Sequence, residues 1–370
     1  MIYLDNAATS LVKPYAVINA CSMWLNKYCA NPGRGGHRLS LNAGSMVYEC
    51  RQLIAKLFNI EKPENIIFTL NTTMALNIAI SGFVKSGMHV VISGMEHNSV
   101  YRPVSNCGCT FTVAEADPTG YVSAESIKKA VRPNTKLIIV THASNVVGTV
   151  NPIKEIGEFA KSRNITFLVD GAQSAGVLDI DVKRDNIDML AFAGHKMLMG
   201  PTGTGGLYIS PGVKLSPVLY GGTGSVSESA EQPDFLPDRF ESGTLNVAGI
   251  AGLSEGVKYV LKNTTAAIRQ HEQMLTERLL EGLYNMDGIS LYGGAERVGT
   301  VSFSMDNKDS VTVCNILDNM GIAARGGLHC APLAHKSLGT KGLTRLSVGC
   351  FNTKNHIDYA IDSIYKITKN

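Results

Sequence analysis

An aspartate and a lysine in the middle of the chain have the types and positions needed to bind one cofactor. Phe167-Leu-Val-Asp-Gly-Ala-Gln173 begins as an apolar run that predicts a strand ending at Asp170, and Lys196 follows the next apolar run. A lysine amine can form a Schiff base with pyridoxal 5′-phosphate (PLP), and an aspartate can keep its pyridine nitrogen protonated so that the ring accepts electrons. Taken alone, the pair fits equally well an aspartate that caps a turn and a lysine at the surface.

Two further motifs have groups for the other parts of such a cofactor. Asn71-Thr-Thr73 precedes the helical run Met74–Val84, so its hydroxyls and free backbone N–H groups would form a phosphate cradle at a helix N-terminus. The alternative is an ordinary helix cap. His97 follows another predicted strand and could stack on the cofactor ring and transfer protons, or be a histidine of the core or of a loop.

Arginines and one cysteine supply groups for a substrate. Arg34 lies among glycines that would let backbone approach a ligand. Arg345 lies in a predicted strand, and its guanidinium could bind an α-carboxylate through two parallel hydrogen bonds. An isolated arginine more often forms a surface ion pair. Arg325-Gly-Gly-Leu-His-Cys-Ala331 predicts a turn that presents Cys330 beside His329 and Arg325, whose positive charge would favour the reactive thiolate.

Short β-branched runs alternate with helical patterns around these residues. This alternation predicts a mostly parallel sheet with helices on both faces, and ligands of such sheets bind beyond the carboxyl ends of the strands. The predicted strands are Ile66–Leu70, His89–Ser93, Lys136–Thr141, Ile165–Asp170, Met189–Ala193 and Gly206–Ile209.

The pattern changes near Gly249 to long helices around a few strands. We therefore predict a large PLP-binding domain, residues 15–250, and a smaller α+β domain, residues 251–370, that carries the cysteine loop. Residues 1–14 would pack near the small domain. The elements predicted in this part are helices Ala266–Tyr284, Val311–Met320 and Asn355–Ile367, strands Val298–Ser304 and Thr344–Val348, and a helix within Pro14–Tyr28 that joins them.

Composition excludes several classes of partner. The 34 basic and 31 acidic residues give a net charge of +3 without a basic stripe, so nucleic acid is not an expected partner. We expect a cytoplasmic protein, because no signal peptide and no apolar run of membrane-spanning length is visible. The eight scattered cysteines fit free thiols in a reducing compartment. Only Cys107 and Cys109 lie close together, and no metal site is predicted.

The chain resembles, over essentially its full length, class V aminotransferase-fold proteins of the cysteine desulfurase and selenocysteine lyase group. The resemblance implies the PLP-dependent transferase fold type I, an α/β fold with a mostly parallel, seven-stranded sheet. The motifs that carry it, in the family's order, are Tyr3-Leu-Asp-Asn-Ala-Ala-Thr9, Asn71-Thr-Thr73, Glu96-His97, Ser144-Asn-Val-Val-Gly-Thr149, Val169-Asp-Gly-Ala-Gln173, Gly194-His-Lys196, Arg239-Phe-Glu-Ser-Gly-Thr244 and the Cys330 loop.

The resemblance also implies a role for each matching residue. Lys196 would carry PLP as a Schiff base, Asp170 would bind the pyridinium, and His97 would be the stacking acid or base. Thr244 would reach the phosphate of the neighbouring subunit, which implies a homodimer. The remaining matches are Gln173 on the ring hydroxyl, Thr72, Thr73 and His195 on the phosphate, and Arg34, Asn145, Arg325 and Arg345 on the substrate side.

The cysteine loop resembles that of desulfurases with a short loop. The implied reaction is attack of the Cys330 thiolate on the sulfur of L-cysteine, which releases L-alanine and leaves a persulfide that an acceptor protein could collect. Alternatives are a selenocysteine lyase, a PLP-dependent aminotransferase or epimerase on the same fold, and a catalytically silent partner protein. Three positions depart from the family pattern, which puts substrate preference and acid/base details in doubt; they are Ala193, Met74 and Leu328.

Overall fold

The fold is built on a central seven-stranded sheet and a smaller four-stranded sheet. A computed structural model describes residues 1–33 and 35–369. The strands are β1 (Ile2–Tyr3), β2 (Ile66–Thr69), β3 (His89–Ser93), β4 (Thr110–Ala114), β5 (Thr135–Thr141), β6 (Thr166–Asp170), β7 (Met189–Ala193), β8 (Gly205–Ile209), β9 (Ile289–Tyr292), β10 (Thr300–Met305), β11 (Ile322–Ala323), β12 (Arg325–Gly327) and β13 (Leu343–Ser347).

Helices cover both sheets. They are α1 (Tyr15–Met23), α2 (Arg38–Phe58), α3 (Thr72–Phe83), α4 (Asn98–Asn106), α5 (Ala124–Ala130), α6 (Ile153–Ser162), α7 (Val247–Asn263), α8 (Thr265–Tyr284), α9 (Ser310–Asn319), α10 (Pro332–Ser337) and α11 (Lys354–Thr368). None of the helices in the described part of the chain is both long and apolar enough to cross a membrane.

The large sheet has the strand order β2-β8-β7-β6-β5-β3-β4. Strand β8 runs antiparallel to both of its neighbours and the other pairs are parallel, which confirms the predicted mostly parallel, seven-stranded sheet. The six predicted strands have the predicted bounds to within one residue. Strand β4 was not predicted, because it lies at the sheet edge and is only partly buried, so it lacks a continuous apolar run.

The central strands are apolar because both faces of the sheet are buried. Ile138 and Val169 pack into one hydrophobic cluster, whereas their chain neighbours Ile139 and Leu168 pack into another on the opposite face. Alternate residues of a strand point to opposite faces, so a fully covered sheet requires apolar residues at both sets of positions.

The four-stranded sheet, of order β12-β13-β10-β9, has its own hydrophobic core with helices α8, α9 and α11. The N-terminal segment packs here, since β1 pairs with β11 and Leu4 is fully buried in the same core. Helix α1 packs against α7. The boundary that we propose between residues 250 and 251 falls within α7, and the division into two domains stays our proposal.

Candidate active site

The carboxyl ends of neighbouring strands bring Asp170 and Lys196 together. Asp170 is the last residue of β6 and pairs with Ala191 of the adjacent β7, and Lys196 lies three residues beyond the end of β7. Both side chains line one cavity. The cavity is lined by Asn71, Thr72, Thr73, Leu76, His97, Ser99, Thr141, Asn145, Asp170, Ala172, Gln173, His195 and Lys196.

Hydrogen bonds from Thr9 and Ser10, near the N-terminus, hold the turn that carries Lys196. The Ser10 hydroxyl donates to the Lys196 carbonyl over 2.8 Å, and the Thr9 hydroxyl donates to the His195 carbonyl over 3.1 Å. These bonds satisfy backbone carbonyls just after the strand and hold the lysine stem in place. They give Thr9 and Ser10 a structural role in positioning the turn that carries Lys196.

Burial makes the Lys196 amine easier to deprotonate. It lowers the pKa of Lys196 to about 8, an effect that the nearby Asp170 carboxylate opposes. Asp170 is itself 4% exposed, and burial raises its pKa, opposed by a 2.9 Å hydrogen bond from the Ala172 N–H and by Lys196. A lysine with a pKa near 8 has an appreciable fraction of neutral, nucleophilic amine at physiological pH.

The N-terminus of α3 forms a donor-rich end of the cavity. Asn71 caps the helix by accepting from the Met74 N–H over 2.9 Å, so the residues that follow the cap present free backbone N–H groups. The Thr72 Oγ1 atom is buried and has no hydrogen-bond partner among residues 1–33 and 35–369. A buried hydroxyl without a partner is costly unless a ligand satisfies it, so this end fits an anionic group such as phosphate.

Close packing at a glycine places this helix end against the sheet. A Cβ atom on Gly205, the first residue of β8, would lie 2.9 Å from the Asn71 backbone. Any larger residue at this position would push the helix N-terminus away from the cavity. Two further predicted phosphate ligands border the same space: the Thr73 hydroxyl lies 2.7 Å from the Ser99 hydroxyl, and His195 Nδ1 lies 3.0 Å from the Thr9 hydroxyl.

His97 is held as a neutral ring. It caps α4 by accepting at Nδ1 from the Ser99 N–H over 3.0 Å, so the proton of the neutral imidazole resides on Nε2. Burial, then the charge of Lys196, lowers the pKa of His97 to about 4. A neutral imidazole with a defined tautomer can take up or give a proton at the cavity wall.

Asn145 and Gln173 line the cavity with side-chain amides that are anchored to backbone. Gln173 Nε2 donates to the Ala7 carbonyl over 2.9 Å, and Asn145 Nδ2 donates to the His329 carbonyl over 2.8 Å. The Asn145 bond links the cavity directly to the cysteine loop, because His329 precedes Cys330.

Cys330 stands in a loop of unusual backbone geometry. His329 and Cys330 have φ angles of 51° and 56°, in the left-handed region that residues other than glycine rarely adopt. The Asn98 N–H donates to the Cys330 carbonyl over 2.8 Å, and the Cys330 side chain is exposed. It lines a second cavity that shares Thr73, His97 and Ser99 with the first.

The positive charge beside the thiol comes from Arg325. Its Nη2 atom lies 3.8 Å from Cys330 Sγ. The prediction that His329 adds positive charge is wrong, because this ring is 4% exposed and burial, with Arg345 nearby, lowers its pKa to about 3. Its Nε2 atom lies 3.2 Å from the Arg325 carbonyl, so the neutral ring packs inside the loop as a support.

The other predicted ligands lie outside the cavity lining. Arg345 is buried and pairs with Asp5, a residue whose part in the site the sequence did not suggest. Thr244 is exposed and lines a separate cavity beside Phe68 and Leu219. Arg34, predicted to bind the substrate, lies outside the described residues.

Glu96 is a further buried group, to which no role of its own was assigned from the sequence. Its Oε1 atom accepts from the Ser93 hydroxyl and, over 2.7 Å, from the Thr141 N–H, whereas Oε2 has no partner. Burial first, with a contribution from Asp170, raises its pKa to about 8. The sequence signal was an acidic residue between an apolar strand and His97. Across residues 1–33 and 35–369, no group of three or more His, Cys, Asp or Glu side chains could hold a metal ion.

Known proteins resemble this chain in sequence and in structure over most of their length. The chain is 38% identical to a protein named probable cysteine desulfurase from Methanothermobacter thermautotrophicus, over 99% of this chain and 94% of that protein. A cysteine desulfurase structure from Thermococcus onnurineus NA1 superposes with a TM-score of 0.93 at 34% identity, covering 100% of this chain and 94% of that one. A cysteine desulfurase structure from Escherichia coli gives 0.89 at 25% identity, with coverage of 100% and 94%.

These likenesses confirm the predicted PLP-dependent transferase fold type I and the resemblance to cysteine desulfurases. The sequence pattern of the family described as aminotransferase class-V matches residues 2–360. The chain therefore belongs to the aminotransferase class-V family.

Proposed function

We propose that this chain is a PLP-dependent cysteine desulfurase. The observation that carries the proposal is the exposed Cys330 thiol in a cavity that shares His97 with the cavity of Lys196 and Asp170. A sulfur nucleophile next to a lysine, an aspartate and a neutral histidine is the set of groups that removal of sulfur from an amino acid requires. The relatives named cysteine desulfurase support the same conclusion.

The residues of the first cavity fit the parts of PLP. Lys196 would bind the aldehyde carbon, Asp170 the pyridine nitrogen and Gln173 the ring hydroxyl, while Thr72, Thr73 and His195 would bind the phosphate. The unpartnered Thr72 hydroxyl is the direct indication that a ligand with acceptor atoms belongs at this end. When bound, the cofactor supplies a ring that withdraws electrons from the substrate.

The chain's own residues move the protons. The Lys196 amine is partly neutral at physiological pH, so it can accept a proton from the substrate carbon once the substrate has displaced it. The His97 ring stays neutral because its pKa is about 4, and its Nε2 atom is the group that can exchange a proton with the substrate. Asn145 would orient the substrate near the cysteine loop.

Cys330 performs the sulfur transfer. Its thiolate attacks the sulfur of L-cysteine, an S–S bond forms, and the bond between that sulfur and the substrate β-carbon breaks. The electron pair of the broken bond goes to the carbon, which takes up a proton and leaves in L-alanine. Arg325, 3.8 Å from Sγ, places a positive charge beside the attacking sulfur, and the persulfide stays on Cys330 until a thiol or an acceptor protein removes it.

Arg345 would bind the substrate carboxylate through those guanidinium N–H groups that do not already bond to Asp5 or to the Asn145 carbonyl. Its Nη2 atom is engaged by Asp5 and its Nη1 atom by the Asn145 carbonyl, whereas Nε is buried without a partner. Arg34 stays a second candidate for the substrate side.

We further propose a homodimer in which Thr244 reaches the phosphate of the neighbouring subunit. Thr244 is exposed and lies in a cavity whose lining includes Leu70 and Leu219, large apolar side chains that are 57% and 53% exposed. Exposed apolar groups around a polar motif are typical of a protein interface. A cytoplasmic location, suggested by the free thiols, is part of the same proposal.

Three alternatives are distinguished by their chemistry. L-selenocysteine would use the same residues, and it is the second candidate substrate because a carbon–selenium bond is cleaved more easily than a carbon–sulfur bond. An aminotransferase or epimerase has no use for a cysteine nucleophile, so Cys330 disfavours it. A catalytically silent protein is disfavoured because Lys196, Asp170, His97 and Cys330 are all present near one place.

The deciding experiment quantifies two products together. The purified protein is incubated with PLP, L-cysteine and a thiol reductant, and alanine and sulfide are measured over time. We expect equal amounts of both from the wild type and neither from Cys330→Ala. Alanine release by Cys330→Ala at the wild-type rate would contradict the proposal, and alanine only from L-selenocysteine would move it to the selenocysteine lyase.

A further inference from the structure

Two cysteines far from Cys330 in sequence lie in contact with each other. Cys107 follows the last residue of α4 and Cys109 precedes the first residue of β4, and their sulfur atoms are 3.4 Å apart. Gly108 between them has a φ of +74°, which glycine adopts without steric cost. A Cβ at this position would meet no atom within 4 Å, so the left-handed turn, and not crowding, is what requires glycine.

The surroundings leave this dithiol partly accessible and give its two thiols one backbone acceptor in common. Both side chains are partly exposed, and both thiols point toward the same acceptor, the Val104 carbonyl, at 3.3 Å and 3.7 Å. Their apolar sides contact the hydrophobic cluster on one face of the sheet. A small reagent from solvent can therefore reach the sulfur atoms, in contrast to the fully buried Cys50.

We propose that Cys107 and Cys109 form a reversible redox site that is oxidised to an intramolecular disulfide by small-molecule disulfides such as oxidised glutathione. One thiolate attacks the small disulfide, forms a mixed disulfide and expels one small thiol. The second cysteine then attacks the protein sulfur of that mixed disulfide and expels the other small thiol. The protein loses two electrons and two protons, and the oxidant is reduced to two thiols.

The geometry allows either cysteine to attack first, because the two sulfur atoms lie side by side and both side chains are partly exposed. Closing the bond requires the sulfur atoms, which lie 3.4 Å apart, to approach to about 2.05 Å. The resulting ring contains only three residues and is strained, so thiols should reduce the disulfide readily and it should form only where the oxidised small disulfide is in excess.

The site is independent of the proposed desulfurase activity. It lies beyond the C-terminal end of α4, whereas His97 and the Asn98 N–H at the other end hold the catalytic loop. Failure of the redox proposal would thus leave the function of Cys330 untouched, and the reverse also holds.

The test is a redox titration of the full-length, PLP-loaded protein. The protein is equilibrated in mixtures of oxidised and reduced glutathione, free thiols are blocked by alkylation in acid-quenched samples, and peptides are measured by mass spectrometry. We expect the peptide that contains both cysteines to shift from the doubly alkylated form to an unalkylated form, two hydrogens lighter than the free dithiol, as the oxidised fraction rises, and to shift back on addition of reduced glutathione.

Serine variants give the matched controls. Cys107→Ser and Cys109→Ser should each abolish the intramolecular bond and leave a single thiol that is free or bound to glutathione, whereas Cys314→Ser, at another partly buried cysteine, should leave the titration unchanged. Phenylarsine oxide, which bridges two thiols, should bind the wild type roughly a hundredfold more tightly than either single variant. Two alkyl groups or two glutathione adducts on the wild-type peptide at every ratio would overturn the proposal.

Discussion

Arg345 and Asp5, 340 residues apart in the sequence, form a buried ion pair in which Nη2 lies 2.5 Å from Oδ1. The arginine is 1% exposed, so its charge depends on this carboxylate. The pair ties the N-terminal motif to β13 and sets the position of the guanidinium that we propose for the substrate carboxylate. Asp5 is thus a positioning residue for Arg345.

Asp5→Ala should destabilise the protein by about 3 kcal/mol, because it leaves a buried guanidinium without its counter-ion. The measurement is the urea midpoint of the cofactor-free protein. The control is Asp358→Ala, which removes the exposed ion pair with Arg278 and should leave the midpoint unchanged. Equal midpoints for Asp5→Ala and the wild type would show that water replaces the carboxylate.

Lys196→Ala and Cys330→Ala should separate cofactor binding from sulfur transfer. We expect Lys196→Ala to lose the visible absorbance of bound PLP, because Lys196 has the one amine among the described residues that line the cavity. Cys330→Ala should keep that absorbance and form no sulfide. Normal PLP absorbance in Lys196→Ala would show that the lysine assignment is wrong.

Thr72→Val should weaken PLP binding by at least about tenfold, since a hydrogen bond to a charged group is worth roughly 1.5–3 kcal/mol. The stability of the cofactor-free protein should not fall, because the Thr72 hydroxyl has no protein partner to lose. Ser363→Ala removes another buried, unpartnered hydroxyl, in α11, and serves as the control with unchanged PLP affinity. Equilibrium titration with PLP measures both, and equal affinities for Thr72→Val and the wild type would remove Thr72 from the phosphate site.

Glu272 should make the protein less stable as the pH rises. It is 2% exposed, neither carboxylate oxygen has a partner, and burial raises its pKa to about 8. The Glu272 carboxyl therefore keeps its proton up to about pH 8 in the folded protein but loses it near pH 4.5 in the unfolded chain. The contribution of this group to the free energy of unfolding is fully present below about pH 4.5 and is lost progressively as the pH rises to about 8.

Glu272→Gln stays neutral at every pH and tests this directly. Relative to the variant, the wild type should lose roughly 3–5 kcal/mol between pH 4.5 and pH 8. Urea midpoints at a series of pH values measure the difference. A constant difference across the series would mean that the carboxylate is ionised in the folded protein throughout.

Glu96→Ala should cost about 2 kcal/mol, because the Thr141 N–H and the Ser93 hydroxyl lose their buried acceptor. Glu96→Gln keeps an acceptor oxygen and resembles the protonated acid, so its thermal midpoint at pH 7 should stay close to that of the wild type. If the glutamine variant were as unstable as the alanine variant, Glu96 would have to be ionised at pH 7.

The parts of the site that depend on residues close together in the sequence could be predicted. Apolar runs fix where β6 and β7 end, and the parallel arrangement of neighbouring strands then brings Asp170 and Lys196 together. The helix after Asn71 was predicted for the same reason, since its cap is read from adjacent residues.

Relationships between distant residues were not predictable in this way. The partner of Arg345 lies at the opposite end of the chain, and its identity depends on how β1 meets β11. The neutral state of His329 follows from burial inside its loop, which the neighbouring residue types do not reveal. Glu96 was missed because its role depends on the Thr141 N–H of another strand.

The bond from the Asn98 N–H to the Cys330 carbonyl joins two backbones, so it carries no requirement for a particular side chain. Homologues can therefore vary residue 98 widely and still hold the nucleophile beside His97. Proline is the exception, because it has no N–H to donate. Among natural variants and designed libraries, the placement of the loop should survive every substitution at this position except that one.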